Sequence, residues 1–289
     1  MSANATQVRI VKADGEEEFF DTSKLDRSLA RAGASSDMRS RIVEHVYKEL
    51  KDGMTTQEIY KHAFDILKEE ERHPVAARFS IKRAIFDFGP SGYPFERFVA
   101  EILKVRGWRT EVGVIVSGRC AQHEVDVIAA KDGERLAVEA KFHNNGSVKT
   151  DIKDALYVHA RFEDLIEKRG SDDAIGDGWL VTNTRFSKNA IRYGQCVGLI
   201  MYGWDYPKGK GIQTMIEETR VHPITCLTTL TEGEKRQLLQ NNIVLCQSLH
   251  GGEHILREYG VSPKRIPDVL NEARHLCSEL SALPSEGEK

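Results

Sequence analysis

Cysteine is scarce in this chain. Its 289 residues hold five, an odd count, at Cys120, Cys196, Cys226, Cys246 and Cys277, and no two stand in a CxxC spacing. That excludes a disulfide framework or a thiolate zinc site as the organising principle, and reduced thiols point to a cytoplasmic protein. No apolar run approaches the roughly 20 residues of a membrane span. The opening stretch, Met1 to Gln7, is short and polar, without the apolar core of a signal peptide, so no membrane partner is expected. A Gly-rich phosphate loop of the Walker type is missing, which argues against nucleotide hydrolysis. Excess positive charge is missing too: 41 Lys and Arg stand against 44 Asp and Glu, a net charge of −3. Any nucleic acid must therefore be met by a local basic patch.

What remains is an ordinary globular composition, 40% hydrophobic and 29% charged, long enough for two or three cores. Residues 1–92 read as ββαααα. Val8–Lys12 and Glu17–Phe20 are strands around an Asp14-Gly15 turn, where glycine takes positive φ without steric cost. Asp21, Thr22 and Ser23 offer cap oxygens to a helix carrying Leu25 and Leu29. A second helix runs near Asp37–Leu50. Thr55-Thr56-Gln57-Glu58 is a capping box for a third, and a single fourth helix follows Pro74 through Ile85. Gly89-Pro90-Ser91-Gly92 is the strongest breaker cluster and the expected boundary.

Residues 93–222 change to an αβββαβαβ order, expected as an α/β (α+β) unit around one mixed sheet flanked by helices. The helices fall at Phe95–Val105, Lys149–Lys168 and near Ser187–Gly194. The strands fall at Thr110–Val116, Val125–Ala130, Leu136–Phe142, Trp179–Thr182 and Gly198–Met201. Residues 223–289 are expected to form a small helical domain, with helices opening at Leu230 and Val261.

The chemistry concentrates in the hairpin holding Asp126 and Val138-Glu139-Ala140-Lys141. Side chains alternate along a strand, so Glu139 and Lys141 share a face while Leu136, Val138, Ala140 and Phe142 take the other. The turn brings Asp126 back toward Glu139. Two carboxylates and an ammonium thus converge on an apolar hairpin, an arrangement that is costly unless a cation compensates. Mg²⁺ (or Mn²⁺) is suited to carboxylates, water and substrate phosphate. The ordinary alternative is a cross-strand salt bridge on a solvated face.

At these residues the chain resembles the PD-(D/E)XK nuclease superfamily, in particular the Mrr-like restriction endonucleases. The resemblance runs through Phe95-Glu96, Val125-Asp126-Val127-Ile128-Ala129, Val138-Glu139-Ala140-Lys141 and Thr182-Asn183-Thr184-Arg185-Phe186-Ser187. It implies a restriction-endonuclease-like fold and a divalent metal held by Asp126, Glu139 and the carbonyl of Ala140. Lys141 would be catalytic and Glu96 an auxiliary acid. The sequence departs from the pattern in having no proline before Asp126. Glu124 shares the face of Asp126 and is either a second-metal residue or a surface charge. His123 lies beside Asp126; His143 and His159 either sit near the site or are structural or surface groups, the commoner role of a lone histidine. Lys149, Lys153, Arg161, Arg185, Lys188 and Arg192 are candidates for a rim that meets DNA phosphates, or solvated charges.

The N-terminal segment resembles the ATP-cone of ribonucleotide reductases and their repressor. The matching residues are Ile10-Val11-Lys12-Ala13-Asp14-Gly15, Glu18-Phe19-Phe20-Asp21, Lys24-Leu25, Thr56 to Tyr60, and Ala76 to Phe79. The resemblance implies that ATP or dATP binds here as a regulatory ligand. Lys12 and Lys24 would meet phosphates, and Glu18, Asp21, Thr56 and Tyr60 would line base and sugar. The chain has Ala13 where relatives often carry Arg, which removes a phosphate contact. Cones of this kind change oligomeric state, so a homo-oligomer gated by nucleotide is expected.

Three functions follow: a nucleotide-regulated DNA endonuclease, with defence against foreign DNA the setting that the resemblance implies; a non-catalytic nucleotide-responsive DNA-binding regulator; and a structure-specific or RNA-directed nuclease.

Overall fold

The computed structural model describes residues 8–69, 73–166 and 174–277. The N-terminal unit opens with β1 (Arg9–Val11) antiparallel to β2 (Glu17–Phe19), around a turn where Gly15 takes φ 81°. A two-residue strand not expected from the sequence, β3 (Met54–Thr55), pairs parallel to β1 on its other side. Asp21 caps α1 (Thr22–Arg31) by accepting from the Ser23 amide at 2.9 Å. Ser35 caps α2 (Ser36–Glu49). The expected capping box opens α3 (Thr56–Glu69): the Glu58 amide donates to Thr55 Oγ1 at 3.2 Å and the Thr55 amide to Glu58 Oε2 at 2.8 Å. Ile10, Leu25, Leu29, Ile42, Val46, Ile59, Ala63 and Leu67 close the core of this unit.

The single helix expected after Pro74 is two, α4 (His73–Phe79) and α5 (Ile81–Phe86). Ser80 lies between them, and its hydroxyl donates to the Ala77 carbonyl at 2.9 Å, a local bond that competes with helix continuation. Ala76 belongs to the N-terminal core, whereas Ala77, Ala84, Ile85 and Phe88 belong to the large core of the rest of the molecule.

The central unit begins with α6 (Tyr93–Val105), then β4 (Arg109–Ser117), β5 (Gln122–Lys131) and β6 (Glu134–Lys141). Asp132 (φ 51°) and Gly133 (φ 85°) make the tight turn between β5 and β6. β7 (Lys149–Thr150) and α7 (Ile152–Ile166) follow, so the helix expected from Lys149 starts three residues later. Its expected end at Lys168 lies outside the described residues. After β8 (Asp177–Thr182), β9 (Arg185–Phe186) pairs with β7, then come α8 (Lys188–Val197) and β10 (Ile200–Tyr202). The five-stranded sheet has the order β10-β8-β6-β5-β4. It is mixed: β4, β5 and β6 run antiparallel, while β6, β8 and β10 run parallel.

Both faces of this sheet are buried. Val127, Ala129, Leu136, Val138 and Ala140 pack toward Phe95, Phe98 and Leu103 of α6. Val125, Ile128, Ala137 and Leu180 pack toward Ala155, Val158 and Phe162 of α7. α7 lies so close to β8 that a Cβ at Gly178 would fall 2.1 Å from the Phe162 ring.

A helix the sequence did not signal, α9 (Ile212–Thr219), leads to the C-terminal unit of α10 (Glu232–Gln240), α11 (Glu253–Glu258) and α12 (Ile266–Cys277). α12 starts five residues after the expected Val261, because Ser262 to Arg265 forms a turn closed by the Arg265 amide on the Ser262 carbonyl. The apolar side chains here, Leu238, Leu249, Leu256, Val269 and Leu276 among them, are continuous with the core under α6. Three hydrogen bonds tie this unit back to α4 and α5. They run from Arg78 to the His275 carbonyl at 3.0 Å, from Thr225 to the Ala84 carbonyl at 2.6 Å, and between His73 and Thr228 at 2.6 Å.

Candidate active site and nucleotide site

Val127 faces Val138 across the β5–β6 ladder as its last pair, and Asp126 and Glu139 are the next residue on each strand. Asp126 Oδ2 accepts from the Ala140 amide at 2.7 Å, which fixes its carboxylate at the junction of the two strands. Glu139 is buried, at 9% exposure. Burial pushes the pKa of both carboxyls up; each also feels an acidic neighbour, while Arg161 and Lys141 pull the other way. Glu96, one turn into α6, is raised to about 7, first by burial and then by Asp126, Glu124 and Glu139. The predicted chemical residues therefore act on one another electrostatically, with three acids close enough to raise one another's pKa and Arg161 and Lys141 opposing that rise.

The nearest cation was expected only as a rim residue. Arg161 of α7 donates from Nη1 to Glu139 Oε2 at 2.7 Å and from Nη2 to the Glu124 carbonyl. Its guanidinium lies 5.4 Å from the Tyr157 ring centroid. Lys141 Nζ is 3.3 Å from Asp154 Oδ1 of the same helix. An open cleft of about 290 Å³ is lined by Gln122, His123, Glu124, Asp126, Tyr157 and Arg161. Tyr157 was not among the expected site residues; its i,i+4 spacing from Arg161 in a helix is the signal that puts the two on one face.

The three histidines are held as structural groups. His123 pairs with Asp164 at 2.8 Å, and that bond, ahead of the Cys120 and Ala121 amides, holds the Asp164 pKa well below the usual carboxylate range. His159 bonds Tyr193. His143 bonds Thr150 at 2.9 Å, and Thr150 donates to Thr182 at 3.0 Å. Asn183 clamps the His143 backbone, accepting from its N–H at 2.8 Å and donating to its carbonyl at 2.7 Å. These buried polar contacts lock the ends of β6 and β8 together just beyond Lys141.

Among the described residues, no three His, Cys, Asp or Glu side chains converge closely enough to hold an ion by themselves. The donor set instead fits Mg²⁺, which typically takes one or two carboxylates and completes its shell with water and substrate oxygen. Asp126, Glu139 and the Ala140 carbonyl are all hard oxygen donors, the ligand type that Mg²⁺ takes.

Of the expected rim, Lys153, Lys188 and Arg192 are exposed. Lys149 and Arg185 are engaged by Asp14 of the β1–β2 turn, at 3.5 and 2.9 Å. In the N-terminal unit, Glu18 holds both candidate phosphate lysines, Lys12 at 3.0 Å and Lys24 at 2.9 Å. Tyr60 stacks on Phe79 with ring centroids 5.3 Å apart, and its hydroxyl meets Ser28 at 3.0 Å. Ile10 and Leu25 are core side chains, so only their backbone can meet a ligand. Thr56 is the first residue of α3 and Asp21 the cap of α1; Val11 ends β1 and Ala13 follows it into the turn, whereas Phe20 follows β2 at the other end of the hairpin.

Three family descriptions match along the chain: ATP cone domain over residues 8–86, restriction endonuclease of the Mrr type over 90–201, and AF1548-like, C-terminal, over 222–277. An uncharacterized protein of Archaeoglobus fulgidus is 40% identical over 177 residues, which cover 61% of this chain and 98% of that protein. The chain belongs to the AF1548-like family. Within it, this member joins an ATP cone to a Mrr-type restriction endonuclease domain and the AF1548-like C-terminal domain. Among solved structures, the crystal structure of a protein of unknown function, AF1548, is 38% identical with a TM-score of 0.53, covering 64% of this chain and 98% of its own. The MspJI restriction endonuclease in complex with a 27-mer oligonucleotide is 16% identical with a TM-score of 0.35, covering 58% of this chain and 36% of that one. Among the described residues, no helix is long and apolar enough to cross a membrane.

Proposed function

We propose that this AF1548-like protein is a divalent-metal-dependent DNA endonuclease whose activity is set by ATP or dATP at its cone. The carrying observation is the meeting of Asp126 and Glu139 across β5 and β6, with Lys141 on the same strand and Glu96 at about pKa 7 beside them. Asp126, Glu139 and the Ala140 carbonyl are the residues that would hold Mg²⁺ or Mn²⁺. When bound, such an ion lowers the pKa of water and neutralises charge on a scissile phosphate.

The chain supplies the rest. Lys141 orients the attacking water and offsets charge building on the phosphoryl oxygens. Glu96, near half-ionised at neutral pH, can exchange a proton beside the reacting phosphate. Arg161 and Tyr157 form one wall of the cleft through which the backbone reaches Asp126. Lys153 and Lys188 offer phosphate contacts on the open side. On the cone, a triphosphate would compete with Glu18 for Lys12 and Lys24, and Tyr60 and Phe79 present an aromatic surface to the base. Because known cones act through assembly, nucleotide is expected to change the number of copies in solution, read by light scattering with and without ATP or dATP.

The deciding experiment is plasmid cleavage with Mg²⁺ or Mn²⁺, with and without each nucleotide. The intact protein should nick or linearise the plasmid only with metal, and an Asp126→Ala/Lys141→Ala double variant should be inactive. Full cleavage by that double variant would refute the assigned site.

A further inference from the structure

β7 and β9 pair in register, Lys149 opposite Arg185, and form a small ledge just past the active-site end of the sheet. The ledge is tied to that end through buried polar groups: Thr150 bonds Thr182, and Asn183 holds His143, two residues beyond Lys141. Lys149 and Arg185 keep 41% and 49% of their side chains exposed, yet both turn to one carboxylate, Asp14, which is only 10% exposed. Asp14 comes from the other end of the fold, at the tip of the β1–β2 hairpin, two residues past Lys12. Lys82 of α5 lies 5.4 Å from the Trp204 ring centroid, and its pKa is lowered by burial and then by Arg185, so a third cation borders the ledge. Two convergent cations that share one acid from a different domain, with a third cation close by, form a site with the character of an anion receptor.

We propose that the ledge is a DNA phosphate site and that Asp14 occupies it as a stand-in for phosphate, so that the cone competes directly with substrate for Lys149 and Arg185. The inference rests on the nuclease reading and adds to it a physical contact by which the cone restrains the catalytic domain. Strand backbone cannot seat on these two cations while Asp14 holds them. Because Lys12 N–H donates to the Glu16 carbonyl and Gly15 N–H to the Lys12 carbonyl, at 2.8 and 3.0 Å, the tip moves as one piece with the lysine expected to meet nucleotide phosphate.

The test is fluorescence anisotropy of a labelled DNA duplex with the full chain in EDTA, which reports binding without cleavage. Asp14→Asn should tighten binding by about 3- to 10-fold, the size expected for releasing two part-exposed ion pairs. Asp37→Asn, the same charge change at an exposed site on the same domain, should do much less. Lys149→Ala/Arg185→Ala should weaken binding, and adding Asp14→Asn to it should restore nothing. Thermal melts check that each variant folds. The proposal is overturned if Asp14→Asn matches the Asp37→Asn control, if its gain survives in the Lys149/Arg185 double variant, or if that double variant binds as the parent does. In each of those cases metal-dependent plasmid cleavage by the parent would leave the nuclease reading intact. A parent chain that neither binds nor cleaves DNA would remove both.

Discussion

Glu96 shows how far one residue's setting can be carried. Its carboxyl is half-buried beside three other acids, and its pKa stands at about 7 against an ordinary 4.5. Between those two values the folded protein binds more protons than the unfolded chain, so this residue makes stability fall as pH rises from about 4.5 through 7, and its favourable contribution is complete only below that window. Glu96→Gln should flatten that part of the melting-temperature profile, and an unchanged slope would show that Glu96 is not the titrating group. The opposition of Asp126 and Glu139 was legible because strand alternation and a tight turn leave one solution. The grip of Arg161 on Glu139 was not, because helical spacing tells which residues share a face but not which strand residue they reach.

Among elements, the caps and the long strands could be read directly from the chain. The two-residue strands β3, β7 and β9 could not, since they are too short for an alternation pattern and exist through backbone pairing to distant partners. Nor could the role of Glu272. From α12 it accepts from the amides of Thr228 and Thr229, both at 2.9 Å, and from their hydroxyls at 2.7 and 2.6 Å, while itself 3% exposed. Truncating it leaves two half-buried amides and the Thr229 hydroxyl without this acceptor, and takes one of two partners from the Thr228 hydroxyl, which keeps His73. Glu272→Ala should cost about 3 kcal/mol or more in chemical denaturation, and Glu272→Gln less, because an amide oxygen still accepts at one of the two threonines. Equal losses for the two variants would mean that the carboxylate shape, rather than its hydrogen bonds, matters.

At the scale of the molecule, the breaker cluster at 89–92 is a bend in the chain but not an edge of the packing. α5 and Phe88, which precede it, share their core with α6 and the C-terminal unit. The expected helical tail proves to fasten α4 and α5 and to continue the core that lies under α6. A chain ending before Pro223 should therefore expose this apolar surface, aggregate or melt well below the full protein, and lose protease resistance in the sheet domain as well. A truncated chain that melts like the intact one would show that the C-terminal unit is an independent appendage.

The bond from Arg78 to the carbonyl of His275 spans 197 positions. On a ribosome, α4 and α5 emerge long before the partner that holds them, and the hairpin and the five-stranded sheet can be complete while that fastening does not yet exist. Closure of this part of the architecture must wait for α12 to leave the exit tunnel, so a nascent chain passes through a period in which the five-stranded sheet can already be paired while α4 still lacks its fastening.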